Sequence, residues 1–259
     1  MNFTKIKYFL KKILSSIIKI FLQNTVLTKY HYKPIYLAAE FVCAENIDGD
    51  YLEFGVFKGH SFIEAFHACE DAQKKWSSKK VNENAFENKK IANKNFQQIS
   101  IKKSMRYFAF DSFKGLPEIK TSDTEHSRFH KGRFESSKNF FLTNCKNNYV
   151  NTKKTITIEG FYENSLTNAM RKEHQLNAAS IIMIDCDLYS STKSVLNFIT
   201  PLLRNGTVLI FDDWFAYKGS QNEGEQKATK EWLQLNPNIL LSEHARFGPS
   251  QKSFIVHLL

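Results

Sequence analysis

Short runs of β-forming residues alternate with helical stretches from Asp50 to the end of the chain. The runs that we interpret as strands are YLEFGV, RYFAFD, KTITIEG, SIIMIDCD and GTVLIFDD, followed by two more near Ile239 and Phe254. Such alternation is typical of a doubly wound sheet that has helices on both faces. The sequence therefore predicts an α/β fold.

The net charge of +10 is unevenly distributed along the 259 residues. Residues 1–39 contain seven lysines and no acid, and residues 73–104 contain nine lysines against two glutamates. The rest of the chain is mildly acidic. A nucleic-acid-binding protein should carry basic and stacking aromatic residues across its working face, so this partner is disfavoured. We predict an N-terminal segment over 1–39 and a domain over 40–259, with a basic insertion at about 73–104 and a lid at about 119–135.

The segment from residue 3 to residue 23 has a helical period, with apolar residues on one face and lysines on the other. A basic amphipathic helix of this kind can lie on an anionic membrane surface. Packing on the domain or on a second subunit of a homodimer is the main alternative, and a signal peptide is a third. No run of about 18 apolar residues is present, so a membrane-spanning helix is not expected.

The four cysteines show neither metal-binding spacing nor a disulfide framework. This favours a reducing compartment. The sequence therefore predicts a cytoplasmic protein, with peripheral contact at the inner face of the membrane as a further possibility.

Acidic residues stand at the carboxyl ends of three predicted strands: they are Asp111, Asp185, Asp187, Asp212 and Asp213. In an open parallel sheet these ends form one edge of a ligand-binding crevice. Each acid alone could simply cap the following helix. Five together favour a dedicated site.

The first strand ends in a turn with two glycines four residues apart, Gly55 and Gly59, and Glu53 precedes them. Such a turn lets the backbone approach a ligand closely. Asp111 ends the second strand, where nucleotide-binding folds place the acid that accepts hydrogen bonds from ribose hydroxyls. Because no Gly-x-Gly-x-x-Gly motif is present, a smaller adenosine-bearing cofactor fits better than a dinucleotide.

Asp185, Asp212 and Asp213 supply three carboxylates at two neighbouring strand ends. Oxygen donors of this kind suit Mg²⁺, and three close carboxylates would repel each other without a cation. A bound metal can lower the pKa of an alcohol. Tyr189, Trp214 and Phe215 lie next to these acids in the sequence and could form a wall of the site that contacts the acceptor, or could simply pack in the core.

Several stretches together resemble the macrocin O-methyltransferase family, whose members are class I S-adenosylmethionine-dependent enzymes that methylate sugar hydroxyls. The stretches are YLEFGVFKGHS, FDSFKGLPE, EGFYENSL, IDCDLYSST and GTVLIFDDW. The resemblance covers about residues 50–259. It implies a Rossmann-like sheet of seven strands, six parallel and one antiparallel.

The resemblance also implies a role for each motif. The methionine part of the cofactor would lie at Glu53, Gly55 and Gly59, its ribose at Asp111, and its adenine near Ser112, Gly160 and Phe161. The Mg²⁺ ligands would be Asp185, Asp212 and Asp213. Asp187 is the candidate general base, and His126 or His130 in the lid is the competing candidate.

The expected function is therefore methyl transfer from S-adenosylmethionine to a sugar hydroxyl of a glycan or glycosylated metabolite, with Mg²⁺ as second cofactor. Two alternatives stay open at this point. One is a catechol-type O-methyltransferase, which the same metal arrangement would support. The other is a membrane-associated protein that keeps the fold without catalysis.

Overall fold

The computed structural model describes residues 33–88 and 104–259. The amphipathic segment predicted over residues 3–23, and with it the predicted membrane contact, lies outside the described residues. Residues 89–103 of the basic insertion also lie outside them. Pro34–Leu259 forms one compact unit.

Seven strands form the sheet: β1 (Asp50–Phe54), β2 (Tyr107–Asp111), β3 (Thr155–Glu159), β4 (Ala179–Ile184), β5 (Val208–Phe211), β6 (Ile239–Phe247) and β7 (Gln251–Leu258). The α-helices are α1 (Lys33–Ala44), α2 (His60–Asn88), α3 (Lys138–Asn147), α4 (Tyr162–Ser165), α5 (Asn168–Glu173), α6 (Tyr189–Ile199) and α7 (Gly224–Leu235). Short 3₁₀ turns occupy Thr200–Leu202 and Tyr217–Gly219.

The strand order is β3-β2-β1-β4-β5-β7-β6. Within the described strands, β7 alone runs antiparallel to its neighbours β5 and β6. This confirms the predicted Rossmann-like sheet. The order reverses between β1 and β4, and ligands bind at such a switch point, outside the carboxyl ends of the strands.

The central strands are buried on both faces. Every residue of β1, β4 and β5 is buried, as expected for parallel strands covered by helices on both sides. Phe54 pairs with Ile184, and Ile184 pairs with Phe211, in one register across these three strands. The residues that follow, Gly55, Asp185 and Asp212, therefore emerge side by side at one edge.

Two helices cross boundaries that the sequence analysis drew. The helix after β1 begins at His60 and continues to Asn88, through the first part of the basic insertion predicted at about 73–104. Helix α1 crosses the boundary predicted between residues 39 and 40, and Ile35, Ala38, Ala39 and Val42 are buried at helical spacing. In the described part of the chain, no helix combines the length and the hydropathy needed to cross a bilayer.

Candidate active site

A cavity of about 790 Å³ opens at the carboxyl ends of the strands. Its lining includes residues that follow five of the parallel strands or end them, namely Gly55, Asp111, Gly160, Asp185 and Asp212. The volume lies within the range of roughly 300–1,000 Å³ that is usual for small-molecule and cofactor sites. The cavity therefore has room for a cofactor and part of an acceptor.

The turn after β1 needs its glycines. Gly55 has φ of 91°, and a Cβ atom there would overlap the carbonyl oxygen of Asp185. Gly59 has φ of 83°, and a Cβ atom would lie 2.8 Å from the Phe141 ring. Gly55 lines the cavity, whereas Gly59 lies behind it against α3. The predicted close approach to a ligand is therefore geometrically possible at Gly55.

The carboxylate of Asp111 holds the same turn. Its Oδ2 accepts hydrogen bonds from the backbone N–H groups of Val56 and Phe57, each at 2.9 Å, and its Oδ1 accepts one from Phe113 at 2.7 Å. A carboxylate offers about four acceptor positions. Asp111 lines the cavity, so one position is left for a ribose hydroxyl, the role that the sequence predicts.

Glu53 is fully buried beneath the turn. Its carboxylate accepts hydrogen bonds from the Ser61 hydroxyl at 2.6 Å and from the Tyr51 hydroxyl. Burial raises the pKa of Glu53 to about 7, although these two hydrogen bonds oppose the shift. Glu53 is absent from the cavity lining, so a contact with the cofactor would require the turn to open.

The residues predicted to flank the adenine lie together in the cavity lining, next to aromatic residues that the sequence analysis missed. Ser112, Gly160 and Phe161 all line the cavity. Phe57 and Phe134 line it too, and their rings meet edge to face with centroids 6.0 Å apart. Phe134 lies in a polar stretch without periodic pattern, so only its aromatic character could have indicated this position.

Acidic side chains gather at the ends of β4 and β5. Asp185, Asp187 and Asp213 each offer a carboxylate oxygen within 4.8 Å of the others. Asp187 and Asp213 are buried, and Asp185 is half-buried. Asp212 is outside this group of three, and its Oδ1 accepts a hydrogen bond from the Gln251 side chain of β7. The structure thus groups Asp187, the predicted base, with two of the three predicted metal ligands, and leaves the third, Asp212, outside the group.

The pKa values of these acids reflect their crowding. Burial raises the pKa of Asp185 well above its usual value, and repulsion from Asp212, Asp187 and Asp213 raises it further. The pKa of Asp187 is also raised well above normal, by burial and then by Asp213. Burial and the charge of Asp213 raise the pKa of Asp212 to about 6. Four such carboxylates cannot all be charged at neutral pH unless cations offset their repulsion.

Two further charged residues, both missed by the sequence analysis, lie near these acids. Arg128 of the lid lies 3.5 Å from Asp213 and lowers the pKa of Asp187, Asp212 and Asp213. Glu225 in the first turn of α7 is fully buried, and its pKa is raised by burial and by Asp213. Neither residue belongs to a motif that sequence spacing would reveal.

Neither of the two lid histidines is part of the cavity lining, although His126 lowers the pKa of Asp213. The His126 ring stacks on Phe129 with centroids 4.5 Å apart and contacts Tyr217 at 5.0 Å. His130 is exposed. His126 thus takes part in packing, and Asp187, which lines the cavity, is the better placed candidate base.

The predicted aromatic wall does not form. Tyr189, Trp214 and Phe215 are all absent from the cavity lining. The Trp214 ring packs between Phe211 and Phe254, at 4.9 and 4.7 Å, and Tyr189 donates a hydrogen bond to Glu231. Tyr189 and Trp214 pack in or against the core, which was the alternative interpretation, and the Phe215 ring instead lies under the Arg246 guanidinium at 5.6 Å.

The donor set fits a divalent cation. Two oxygens bound to one Mg²⁺ are at most about 4.2 Å apart, since each Mg–O bond measures about 2.1 Å. The limit of 4.8 Å among Asp185, Asp187 and Asp213 is only slightly wider. The spacing of these three oxygens is therefore close to that of a divalent-cation site, and an oxygen-only donor set suits Mg²⁺.

Solved structures share this fold. The O-methyltransferase NovP has a TM-score of 0.61 at 16% identity, covering 86% of this chain and 78% of its own. CalS11, a calicheamicin methyltransferase, also has a TM-score of 0.61, at 19% identity over 95% of this chain and 85% of its own. An O-methyltransferase from Bacillus cereus, solved in complex with SAH, has a TM-score of 0.50 at 13% identity over 86% and 79%. These likenesses define the class I methyltransferase fold.

The family follows from the sequence itself. The profile of the macrocin-O-methyltransferase (TylF) family matches residues 91–234, more than half of the chain. No curated protein matches this chain. The chain belongs to the macrocin O-methyltransferase family and is a class I S-adenosylmethionine-dependent O-methyltransferase. The resemblance inferred from the motifs is thereby confirmed.

Proposed function

We propose that the protein methylates a hydroxyl of a sugar, carried by a glycan or a glycosylated metabolite, in a reaction that depends on Mg²⁺. The observation that carries this proposal is the placement of four carboxylates in the same cavity as the Gly55 turn and Asp111. The likeness to CalS11, described as a TDP-rhamnose 3′-O-methyltransferase, supports a sugar acceptor.

We assign the cofactor to the side of the cavity formed by the ends of β1, β2 and β3. Asp111 would bind the ribose, Ser112 and Phe161 would flank the adenine, and Gly55 would approach the methionine part. Gly59 and Glu53 would act from behind the turn by fixing its shape. S-adenosylmethionine supplies the methyl group when bound.

We assign the metal to Asp185, Asp212 and Asp213. Asp212 is outside the group of three oxygens. Among the charged neighbours of Asp185, however, Asp212 raises the pKa of Asp185 the most. The hydrogen bond from Gln251 uses only Oδ1 of Asp212, so Oδ2 is available to a cation. Gln251 would then orient this ligand, as residues behind metal ligands commonly do. A bound Mg²⁺ would supply Lewis-acid activation of the acceptor hydroxyl.

Asp187 is left as the general base. Its carboxylate is buried beside Asp213 and lines the cavity. A raised pKa brings a carboxyl group closer to neutrality, which makes it a more effective acceptor for the proton of an alcohol. Asp187 would take that proton, and the surrounding cavity wall would hold the acceptor in line for methyl transfer.

Product analysis tests the proposal. The full-length protein would be incubated with S-adenosylmethionine and two acceptor panels, one of nucleotide sugars and glycans and one of catechols, with added Mg²⁺ or with EDTA. We expect mass spectrometry to show one added methyl group on a sugar acceptor, and EDTA to abolish it. Methylation of catechols alone would contradict the sugar assignment, and equal turnover in EDTA would contradict the metal assignment.

The sequence-based partner predictions extend this proposal. Peripheral membrane contact through residues 3–23, a homodimer and a cytoplasmic location remain predictions. A glycan on a lipid carrier would give the membrane contact a purpose.

A further inference from the structure

The candidate base lies on a strained turn. Asp187 has φ of 60°, a left-handed conformation that non-glycine residues rarely adopt. The turn is tight, since the N–H of Leu188 donates to the carbonyl of Cys186 at 2.6 Å. A residue keeps such a conformation only when its surroundings hold it there. The question is which part of the molecule supplies that support.

The helix that follows Asp187 lacks a cap of its own. Its N-cap residue is Leu188, whose side chain can accept no hydrogen bond. The first N–H groups of a helix need acceptors, which the N-cap side chain normally provides. For α6 the acceptor comes from elsewhere in the chain.

Asp123 of the lid provides it. Its Oδ1 accepts a hydrogen bond from the N–H of Ser190 at 2.8 Å, and its Oδ2 accepts one from the Ser190 hydroxyl at 2.8 Å. Asp123 is 9% exposed, and its Oδ2 also accepts the N–H of Lys120 at 3.0 Å, which closes a turn within the lid. One buried carboxylate thus ties the lid to the start of α6.

Apolar contacts reinforce this tie on both sides of Asp187. Phe129 of the lid packs in a small cluster with Leu188, Ala216 and Tyr217, and Leu188 is fully buried there. The Tyr217 hydroxyl donates to the backbone carbonyl of Asp187 at 3.2 Å. The lid, the Tyr217 turn and the Asp187 turn therefore pack as one unit.

We propose that Asp123 is a positioning residue, which caps α6 from the lid and so fixes the turn that aims Asp187 at the acceptor. This inference rests on the proposed function, because it takes Asp187 as the base. Asp123 acts only through Ser190 and the Asp187 turn.

Two variants and a matched control test the proposal. Asp123→Ala removes the cap. Asp123→Asn keeps an oxygen for the Ser190 N–H and an amide from which the Ser190 hydroxyl can accept, and it loses only the hydrogen bond from the Lys120 N–H within the lid. Ser137→Ala is the control, because Ser137 caps α3 by accepting from the Phe140 N–H at 3.2 Å and lies outside the cavity lining.

Hydrogen exchange measures the coupling between the lid and the Asp187 turn, and it does not require the methyl-accepting substrate. In Asp123→Ala we expect amide exchange in peptides covering residues 186–192 and 126–131 to quicken at least about tenfold, while the exchange of β1 and β4 stays unchanged. Asp123→Asn and Ser137→Ala should leave these peptides close to the parent protein. Unchanged exchange in Asp123→Ala would overturn the coupling.

Kinetics then test the positioning role. Asp123→Ala should lower kcat by about 10- to 100-fold, with KM for S-adenosylmethionine within about threefold, since a misplaced catalytic group affects the chemical step. Asp123→Asn should restore most of kcat. A loss of kcat no greater than that of Ser137→Ala would overturn the role. If the parent protein transfers no methyl group to any acceptor, the result contradicts the proposed function and not this inference. Hydrogen exchange still tests the coupling between the lid and the Asp187 turn in that case.

Discussion

Both halves of the cavity edge carry buried carboxylates, but the two halves compensate them differently. At the ends of β1 and β2, Glu53 and Asp111 accept hydrogen bonds from hydroxyl groups and from three backbone N–H groups. At the ends of β4 and β5, Asp185 and Asp187 have carboxylate neighbours that raise their pKa values further. In the first half, hydrogen bonds from within the chain compensate the carboxylates, in part at Glu53, whereas in the second half neighbouring carboxylates add repulsion.

This difference suits the two kinds of ligand. Hydrogen-bonded carboxylates hold the turn in one shape, which preorganises a site for a large organic cofactor. Crowded carboxylates repel each other, and a divalent cation of the kind proposed would relieve that repulsion and gain affinity from the relief. Arg128 offsets part of the repulsion, but at 3.5 Å from Asp213 it is a partial substitute.

The largest expected effects distinguish the proposed metal ligands from the proposed general base among the acids at the ends of β4 and β5. Asp213→Asn should lower Mn²⁺ affinity by about 100-fold or more, because a charged donor is lost. Asp187→Asn should lower kcat by about 10²- to 10⁴-fold, with a much smaller loss of Mn²⁺ affinity. Electron paramagnetic resonance of free Mn²⁺ measures the affinity, and methyl transfer measures kcat.

Asp212→Asn completes this series. The new amide oxygen can still accept the hydrogen bond from Gln251, so any loss comes from the missing charge. We expect turnover to be abolished and S-adenosylmethionine binding, measured by calorimetry, to be retained. If Asp212→Asn keeps full Mn²⁺ affinity while Asp187→Asn loses it, then Asp187 is the third ligand and the assignment of the base falls.

The next largest effect concerns Gly55, where the two halves meet. Gly55→Ala would push its Cβ into the carbonyl oxygen of Asp185, so the ends of β1 and β4 would have to separate. We expect a loss of several kcal/mol in the free energy of unfolding, together with weaker binding of both the cofactor and Mn²⁺. Thermal unfolding and calorimetry measure these changes.

Gly248→Ala is the matched control for this variant. Gly248 also has a positive φ, of 58°, but a Cβ there would meet nothing within 4 Å. Gly248→Ala should lower the free energy of unfolding by about 1 kcal/mol from backbone strain alone and should leave ligand binding unchanged. If Gly55→Ala weakens the binding of only one ligand, the two halves are less closely joined than their shared edge suggests.

The sequence predicts the sheet and the acids better than it predicts their partners. Buried parallel strands are continuous apolar runs, and the acid after each run stands at the edge, so Asp185 and Asp213 could be placed from the pattern alone. The hydrogen bonds from Ser190 to Asp123 and from Gln251 to Asp212 span 67 and 39 residues. In each case the two partners belong to different parts of the fold, so the local pattern around either residue gives no signal for the hydrogen bond.

The same reason explains the errors around the cavity. Trp214 follows the acidic pair directly in the sequence, but its ring turns back onto Phe254 of β7. His126 lies in the stretch predicted to form a lid, and its ring stacks on Phe129. Side-chain direction depends on distant packing, and this information is missing from the local sequence.

The smallest expected effect tests how complete the compensation is in the first half. Burial raises the pKa of Glu53 from 4.5 to about 7, so between these pH values the folded state binds a proton that the unfolded state releases. Stability from this group is therefore present below pH 4.5 and is lost as the pH rises towards 7.

Glu53→Gln removes this contribution. Relative to the parent protein, the variant should gain free energy of unfolding as the pH rises from 4.5 to 7, by an amount on the order of 3 kcal/mol at most. Urea titrations of both proteins across this range measure the difference. Ser61→Ala should move the upper end of the window higher, because the Ser61 hydrogen bond lowers the pKa of Glu53. If the difference in the free energy of unfolding between the two proteins does not change with pH, hydrogen bonds cancel the cost of burying Glu53. That result would sharpen the contrast with the acids of β4 and β5.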